Sequence, residues 1–276
     1  MKFRDAHFGQ NAFTRLDLIA ITGAVVLLFL VAMPVLAKPG VLGRTAVCQA
    51  NHQSLIRAWQ LYATDNGGNI VSASGGQPQP EWSGGINLDF TTRAYNIDPS
   101  LSVMRSPLWR YTDKQASTFR CPADLSTSSS PAYHNGEAVP RVLSYSMNSW
   151  MGANGWLGSS AVFSVWRNLS DFTTMRPSDA FVLLDERSDS INDGFFAVDM
   201  TGYGRPNGNL RMVDFPAGYH DGSGMISFAD GHVESHRWQD TRTIPPLVQK
   251  QYIPLNVGSP GNPDVSWLQN HATRPK

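Results

Sequence analysis

The sequence predicts an α+β protein: a long N-terminal α-helix, its first half transmembrane, packed on an antiparallel β-sheet head with long loops. Three observations predict it. An uncharged apolar run lies near the N-terminus, an amphipathic helical pattern follows it, and the remainder alternates short apolar segments with glycine and proline. The 276 residues suffice for one large domain or two small ones, and 24 Gly and 18 Pro fit a loop-rich, β-containing head better than an all-helical one. Lys+Arg and Asp+Glu each total 22, so the formal net charge is zero. Domains that coat nucleic acid carry a basic excess, and disordered tails carry an excess of one sign, so neither class fits. Two cysteines are too few for a disulfide-framework miniprotein or a four-cysteine zinc module.

The apolar run, Leu18 to Ala37, reads LIAITGAVVLLFLVAMPVLA, 20 residues without a charge. As a helix it spans about 30 Å, the hydrocarbon thickness of a bilayer. Its rival is a cleaved secretory signal. Signal cores run about 7–15 residues, so this run is long for one, although Val35-Leu36-Ala37 has the composition of a weak cleavage site. Lys2, Arg4 and Arg15 precede the run, and Lys38, Arg44 and Arg57 follow it, a weak bias toward a cytoplasmic N-terminus. Asp17 sits at the start of the run. A carboxylate there costs up to ~3 kcal/mol at mid-bilayer and less near an end. It either reaches the interface and favours the helix N-terminus, or meets a cationic partner inside the membrane.

Ala12-Phe13-Thr14-Arg15-Leu16-Asp17-Leu18-Ile19 resembles the processing site of type IV prepilins and type II secretion pseudopilins. That family has a short polar leader, a small residue before the cut, Phe after it, and an acidic residue five positions into the mature chain. The resemblance implies a leader over residues 1–12, cleavage between Ala12 and Phe13, and methylation of the new Phe13 amine by a prepilin peptidase/methylase. It also implies that Asp17 pairs with that amine on a neighbouring subunit, which would lower the cost of both charges in lipid. Three departures stand out: Ala12 replaces the usual Gly, Asp17 replaces the usual Glu, and Arg15 puts a charge where the family has an apolar or small residue.

After Lys38-Pro39-Gly40, the residues Cys48, Leu55, Trp59 and Tyr62 mark one face of an amphipathic helix, and Asp65-Asn66-Gly67-Gly68 supplies its stop. CQANHQSLIRAWQLYATDNGG also resembles the segment after the membrane helix in pseudopilin-like proteins. The N-terminal helical part is therefore expected over 13–66, transmembrane at 16–37 and an amphipathic stem at 41–64, with a bend at Pro34 or Pro39. The stem stripe reads as the seam on which the head packs. Cys48 and Cys121 both fall outside the membrane if the N-terminus is inside. There they form a disulfide or remain two buried free thiols.

The head, 67–276, is punctuated by Asn66-Gly67, Asn135-Gly136, Asp193-Gly194, Asp221-Gly222 and Asp230-Gly231. Strands are expected at Leu143–Met147, Ala180–Asp185, Phe195–Met200, Leu210–Asp214, Met225–Ala229 and His232–Trp238, with spacings that suit antiparallel hairpins. Asp230-Gly231 between the last two predicts a type I′ turn. His220, nine residues, then Asp230-Gly231 matches the H-x9-DG signature of prepilin-like proteins, over 220–231. Phe181–Asp193 and Arg141–Trp150 are similar to that group as well.

His220, Asp230, His232 and His236 invite a metal reading, but spacing opposes it: on a strand His232 and His236 stand ~13 Å apart, too far for one zinc. His220 and Asp230 read instead as a hydrogen-bonded pair pinning loop to turn. Asp185, Asp189 and Asp193 lie in an acidic loop, DERSDSIND, that has a calcium loop's composition without its register, so it reads as calcium-binding or as a solvated acidic turn. No nucleophile elbow, P-loop or dinucleotide fingerprint occurs, and no cofactor is expected. The expectation is a non-enzymatic filament subunit. Its partners would be other pilin-like subunits and an inner-membrane assembly platform, not nucleic acid. It would sit as a single-pass inner-membrane protein with a cytoplasmic N-terminus and a periplasmic or cell-surface head. The alternative is a surface binding protein that never polymerises, using its aromatic loops (Trp82, Trp109, Trp150, Trp156, Trp166, Trp267) on glycan or protein ligands. A metal-dependent hydrolase centred on His220 is a third reading.

Overall fold

The computed structural model describes residues 14–36, 40–89, 94–131, 133–157, 159–205, 207–248 and 250–276. The chain divides into two compact units, Met1–Gly40 and Val41–Lys276. The leader, Ala12 and Phe13 lie outside the described residues.

In the first unit, α1 runs Arg15–Leu36. Its start is closed by a reciprocal cap. Thr14 donates its backbone N–H (2.9 Å) and its hydroxyl (2.7 Å) to Asp17 Oδ2, and the Asp17 N–H donates back to Thr14 Oγ1 at 3.2 Å. Pro34 lies inside α1, and Pro39 lies outside the described residues. The side chains of α1 are described through Leu27. Among the described residues, no helix is long and apolar enough to cross a membrane.

The second unit is a mixed α+β fold with a mostly antiparallel sheet. It begins with α2, Val41–Asp65. Cys48, His52, Leu55, Trp59 and Ala63 are spaced four, three, four and four apart, and all are fully buried. Tyr62 packs at the edge of this stripe. The helix stops as expected: Gly67 and Gly68 take φ of +64° and +86°, and the Gly68 N–H bonds back to the Ala63 carbonyl at 2.7 Å.

The strands are β1 (Thr127–Ser128), β2 (Val139–Pro140), β3 (Tyr145–Asn148), β4 (Phe181–Asp185), β5 (Phe195–Phe196), β6 (Arg211–Met212), β7 (Ser223–Phe228), β8 (Val233–Arg237) and β9 (Val257–Gly258). Five of them form the central sheet in the order β5-β3-β4-β7-β8. The β3–β5 pair is parallel and the others are antiparallel. A short C-terminal helix, α3, spans Pro263–Ala272, capped by Asn262. Successive strand residues point to opposite faces. Tyr145 and Ser227 meet α2, while their neighbours by parity, Asn148 and Phe228, meet Ala272, Trp267 and His271 of α3. The two helices therefore cover opposite faces of the sheet, which explains why β4 and β7 are buried along their whole length.

Three expectations change. The predicted strand Phe195–Met200 keeps ladder pairing only at its first two residues, because the Ala197 N–H goes to Asp214 Oδ2 and the Val198 N–H to Ser149 Oγ. Leu210–Asp214 contributes only β6, which pairs with β9 outside the central sheet. The Asp230-Gly231 turn is not type I′. Phe228 N–H pairs with the His232 carbonyl, leaving a three-residue loop in which only Gly231 has positive φ, at +99°. That is a type I turn followed by a glycine bulge, the next commonest hairpin connection.

Candidate metal centre

The loop before β7, the end of β4, the loop after Phe119 and the second turn of α2 converge beneath the sheet. There Cys48, Cys121, Asp185 and His220, all buried, place one sulfur, nitrogen or oxygen each within 4.8 Å of one another. Each arrives from a different element. Cys48 belongs to the buried stripe of α2. Cys121 follows a 3-10 turn over Ala116–Phe119. Asp185 ends the strand Phe-Val-Leu-Leu-Asp, the one charge of an otherwise apolar run. His220 stands in the tight loop into β7, with its N–H on the Ser223 carbonyl at 3.1 Å.

The contacts among them are short. Cys48 Sγ is 3.3 Å from Asp185 Oδ1, Cys121 Sγ is 3.4 Å from His220 Nε2, and His220 Nε2 is 3.3 Å from Asp185 Oδ2. Around these atoms lies a second layer. His220 Nδ1 meets Thr45 Oγ1 at 3.0 Å. His52, four residues after Cys48 on the same helix face, donates Nε2–H to Asp185 Oδ1 at 3.2 Å and sets Nδ1 on Ser227 Oγ at 2.6 Å. The Met225 N–H donates to Asp185 Oδ2 at 2.8 Å, and the Tyr145 hydroxyl lies 3.5 Å from Cys48 Sγ.

The electrostatics follow from this wiring. Burial opposes ionisation of Asp185, yet the hydrogen bonds from His220 and His52 hold its carboxyl well below the usual carboxylate range. Burial also opposes a charged His220, but its bonds to Asp185 and Cys121 lift it to about 9. The two thiols divide: burial pushes Cys48 up, whereas the bond to Cys48 holds Cys121 down against burial.

Cys48 and Cys121 do come together, but as two free thiols rather than a disulfide. Each sulfur has a polar partner of its own, Asp185 for one and His220 for the other. The expected His220–Asp230 bond is absent. His220 and Asp230 sit at opposite ends of β7, and Asp230 is exposed and bonds His232 at 2.6 Å instead. What the two ends of the H-x9-DG segment share is α2. His220 docks on Thr45, while Gln60 donates to the Ala229 carbonyl at 3.1 Å and lies where a Cβ on Gly231 would collide, at 2.9 Å. The segment straps β7 along about 22 Å of helix.

The calcium candidates do not converge. Asp185 serves the histidines, Asp189 forms a buried bidentate pair with Arg187, and Asp193 accepts the Phe195 N–H at 2.8 Å. The loop is not solvated either: Asp185, Glu186, Arg187 and Asp189 are all buried. Of the six tryptophans considered as a binding platform, Trp82, Trp150 and Trp166 are fully buried, and their indole N–H groups donate to backbone carbonyls. His52 escaped the sequence reading altogether. Its signal was available, since Cys48 and His52 are four apart on a helical face. Spacing along one segment does not display this cluster, because its four residues come from four separate segments.

Compared with protein-family models, with curated proteins and with solved structures, the chain matches none.

Proposed function

We propose that the chain is a membrane-anchored, pilin-like structural subunit without enzymatic activity, which assembles through its N-terminal helix into a type II secretion or type IV pilus-like filament. The observation that carries this reading is the Thr14–Asp17 cap at the mouth of α1, two residues after Ala12 and just ahead of the uncharged run Leu18–Ala37. Both Thr14 bonds fall on Asp17 Oδ2, and the residue is exposed, so the carboxylate is fixed in direction yet reachable by an amine from another subunit. Cleavage after Ala12 by a prepilin peptidase/methylase would create that amine on Phe13. The anchor is a single inner-membrane pass with the N-terminus cytoplasmic and the head periplasmic or at the cell surface. The further partners are other pilin-like subunits and an inner-membrane assembly platform. A long helix packed on the sheet head fits the buried stripe of α2, and the burial of Trp82, Trp150 and Trp166 disfavours the glycan-binding alternative.

Mass spectrometry of the membrane form tests the processing: a chain starting at methylated Phe13 is the expected result, and one that keeps Met1 to Ala12 while working normally overturns the reading. For assembly, Asp17→Asn keeps an oxygen to accept the Thr14 bonds but loses the charge. It should abolish filaments with the head still folded, and Asp17→Glu should restore them. Filaments of normal yield from Asp17→Asn would sink the pairing.

A further inference from the structure

We propose that Cys48, Cys121, Asp185 and His220 bind one zinc ion in a closed, structural site that fastens α2 to the head. The inference is independent of filament assembly and holds or fails by itself. It rests on three geometric features.

The first is the shape of the donor set. A tetrahedral ion with bonds of roughly 2.0–2.3 Å has ligand–ligand edges of about 3.3–3.8 Å. The contacts Cys48–Asp185, His220–Asp185 and Cys121–His220 measure 3.3, 3.3 and 3.4 Å. These three contacts, which use both oxygens of Asp185, already have the length of such edges, and one donor atom from each of the four residues lies within 4.8 Å of the others, so a small contraction would close the set around one ion. Two thiolates, an imidazole and a carboxylate are also donors that suit zinc, whereas calcium and magnesium take oxygen shells.

The second feature is the orientation of the ligands by outer partners, which metal-binding histidines and carboxylates share. Thr45 Oγ1 accepts the Nδ1–H of His220, which turns Nε2 toward Cys121 and Asp185. His52 and the Met225 N–H fix the Asp185 carboxylate from behind. His52 is itself held by Ser227.

The third is burial. All four donors are inaccessible, and four protein ligands leave no open position for substrate or water. This separates a structural site from a catalytic one. On binding, Zn²⁺ takes the place of the protons on the two thiols and on His220 Nε2, and these are released to solvent. No oxidant or reductant takes part. The ligands are drawn from sequence positions 48, 121, 185 and 220, so one ion ties four distant segments at the point where the stem enters the head.

The test is metal analysis of the full chain purified in detergent from zinc-replete cells. The expected result is one equivalent of zinc, kept through gel filtration, with an X-ray absorption shell of two sulfurs at roughly 2.3 Å and two lighter atoms at roughly 2.0–2.1 Å. Cys121→Ser and His220→Ala should each lower the zinc to below about a tenth of an equivalent. His232→Ala, which alters an exposed histidine outside the cluster, should leave it unchanged. The absorption spectrum of the wild-type chain decides the matter even if the cysteine variant fails to fold. A zinc-free protein with two titratable thiols, a Cys48–Cys121 disulfide, or zinc lost equally from His232→Ala would each overturn the proposal.

Discussion

Asp185 and Glu186 are neighbours in sequence, equally buried, and opposite in charge behaviour. Asp185 faces α2, where His220 and His52 hold it ionised against the pull of burial. Glu186 faces the other way. Burial and the nearby Asp214 push its carboxyl well above the usual range, and the Ser190 hydroxyl, which donates to Glu186 Oε1 at 2.6 Å, does not offset that. Asp214 is raised to about 8 and Asp193 to about 6, in both cases chiefly by burial. One step along the chain separates a charged donor cluster from carboxyls that burial pushes toward their protonated form. Burial alone makes an acid give up its charge; partners with N–H groups make it keep the charge. This is why the Cys48–Cys121–Asp185–His220 cluster lies on the α2 face, while Asp189 and Asp193 of DERSDSIND are engaged separately by Arg187 and the Phe195 N–H.

The largest expected effect is at Asp185. Asp185→Ala strands two histidines beside two buried thiols, and removal of one partner from such a network costs about 3–5 kcal/mol. Chemical denaturation of the full chain in detergent checks it. Glu186→Gln exchanges a carboxyl that burial already pushes toward its neutral form for a neutral amide, so it should cost under about 1.5 kcal/mol, the scale of a single rebuilt hydrogen bond. If the two substitutions cost the same, the contrast between the neighbours is broken.

The next effect concerns Gly231. Its φ of +99° strains any other residue, and an added Cβ meets Gln60 at 2.9 Å. Gly231→Ala should cost about 1–3 kcal/mol. Asp230→Ala, at the exposed end of the same turn, should change stability by less than about 0.5 kcal/mol. Equal losses would show that the turn, rather than its seat on α2, is what matters.

The pH dependence sharpens the comparison at smaller amplitude. Asp214 and Asp193 bind protons more tightly when folded than when unfolded. Between the ordinary carboxylate value of 3.8 and about 6 for Asp193, or about 8 for Asp214, the folded state holds the extra protons. Their contribution is therefore full below 3.8 and is lost as pH rises through these windows. Melting temperature should fall from pH 5 to pH 8, and Asp214→Asn should flatten that slope. Asp185 has the reverse sign: its contribution is present above the ordinary carboxylate value and is lost only in stronger acid. A slope unchanged in Asp214→Asn would remove this group as the source.

Much of the architecture was legible in the chain. The period of Cys48, Leu55, Trp59 and Tyr62 marked the buried face of α2, because a helix repeats its direction every 3.6 residues. Asn66-Gly67-Gly68 marked its end, because only glycine takes positive φ without strain. The expected strands Ala180–Asp185 and Met225–Ala229 overlap β4 and β7, whose apolar runs are legible because both faces are covered. The short strands were overestimated where side chains such as Asp214 and Ser149 took over the backbone N–H groups, a competition that local pattern does not display. The apolar run, the Ala12-Phe13…Asp17 pattern and the identity of every donor in the cluster are properties of the chain alone. That Cys48, Cys121, Asp185 and His220 meet, and that His220 and the Ala229–Gly231 turn each seat on α2 while Asp230 bonds His232, was decided by tertiary structure. Sequence period specifies which face a residue occupies on its own element; only packing four elements around one sheet brings residues up to 172 positions apart to within bonding distance.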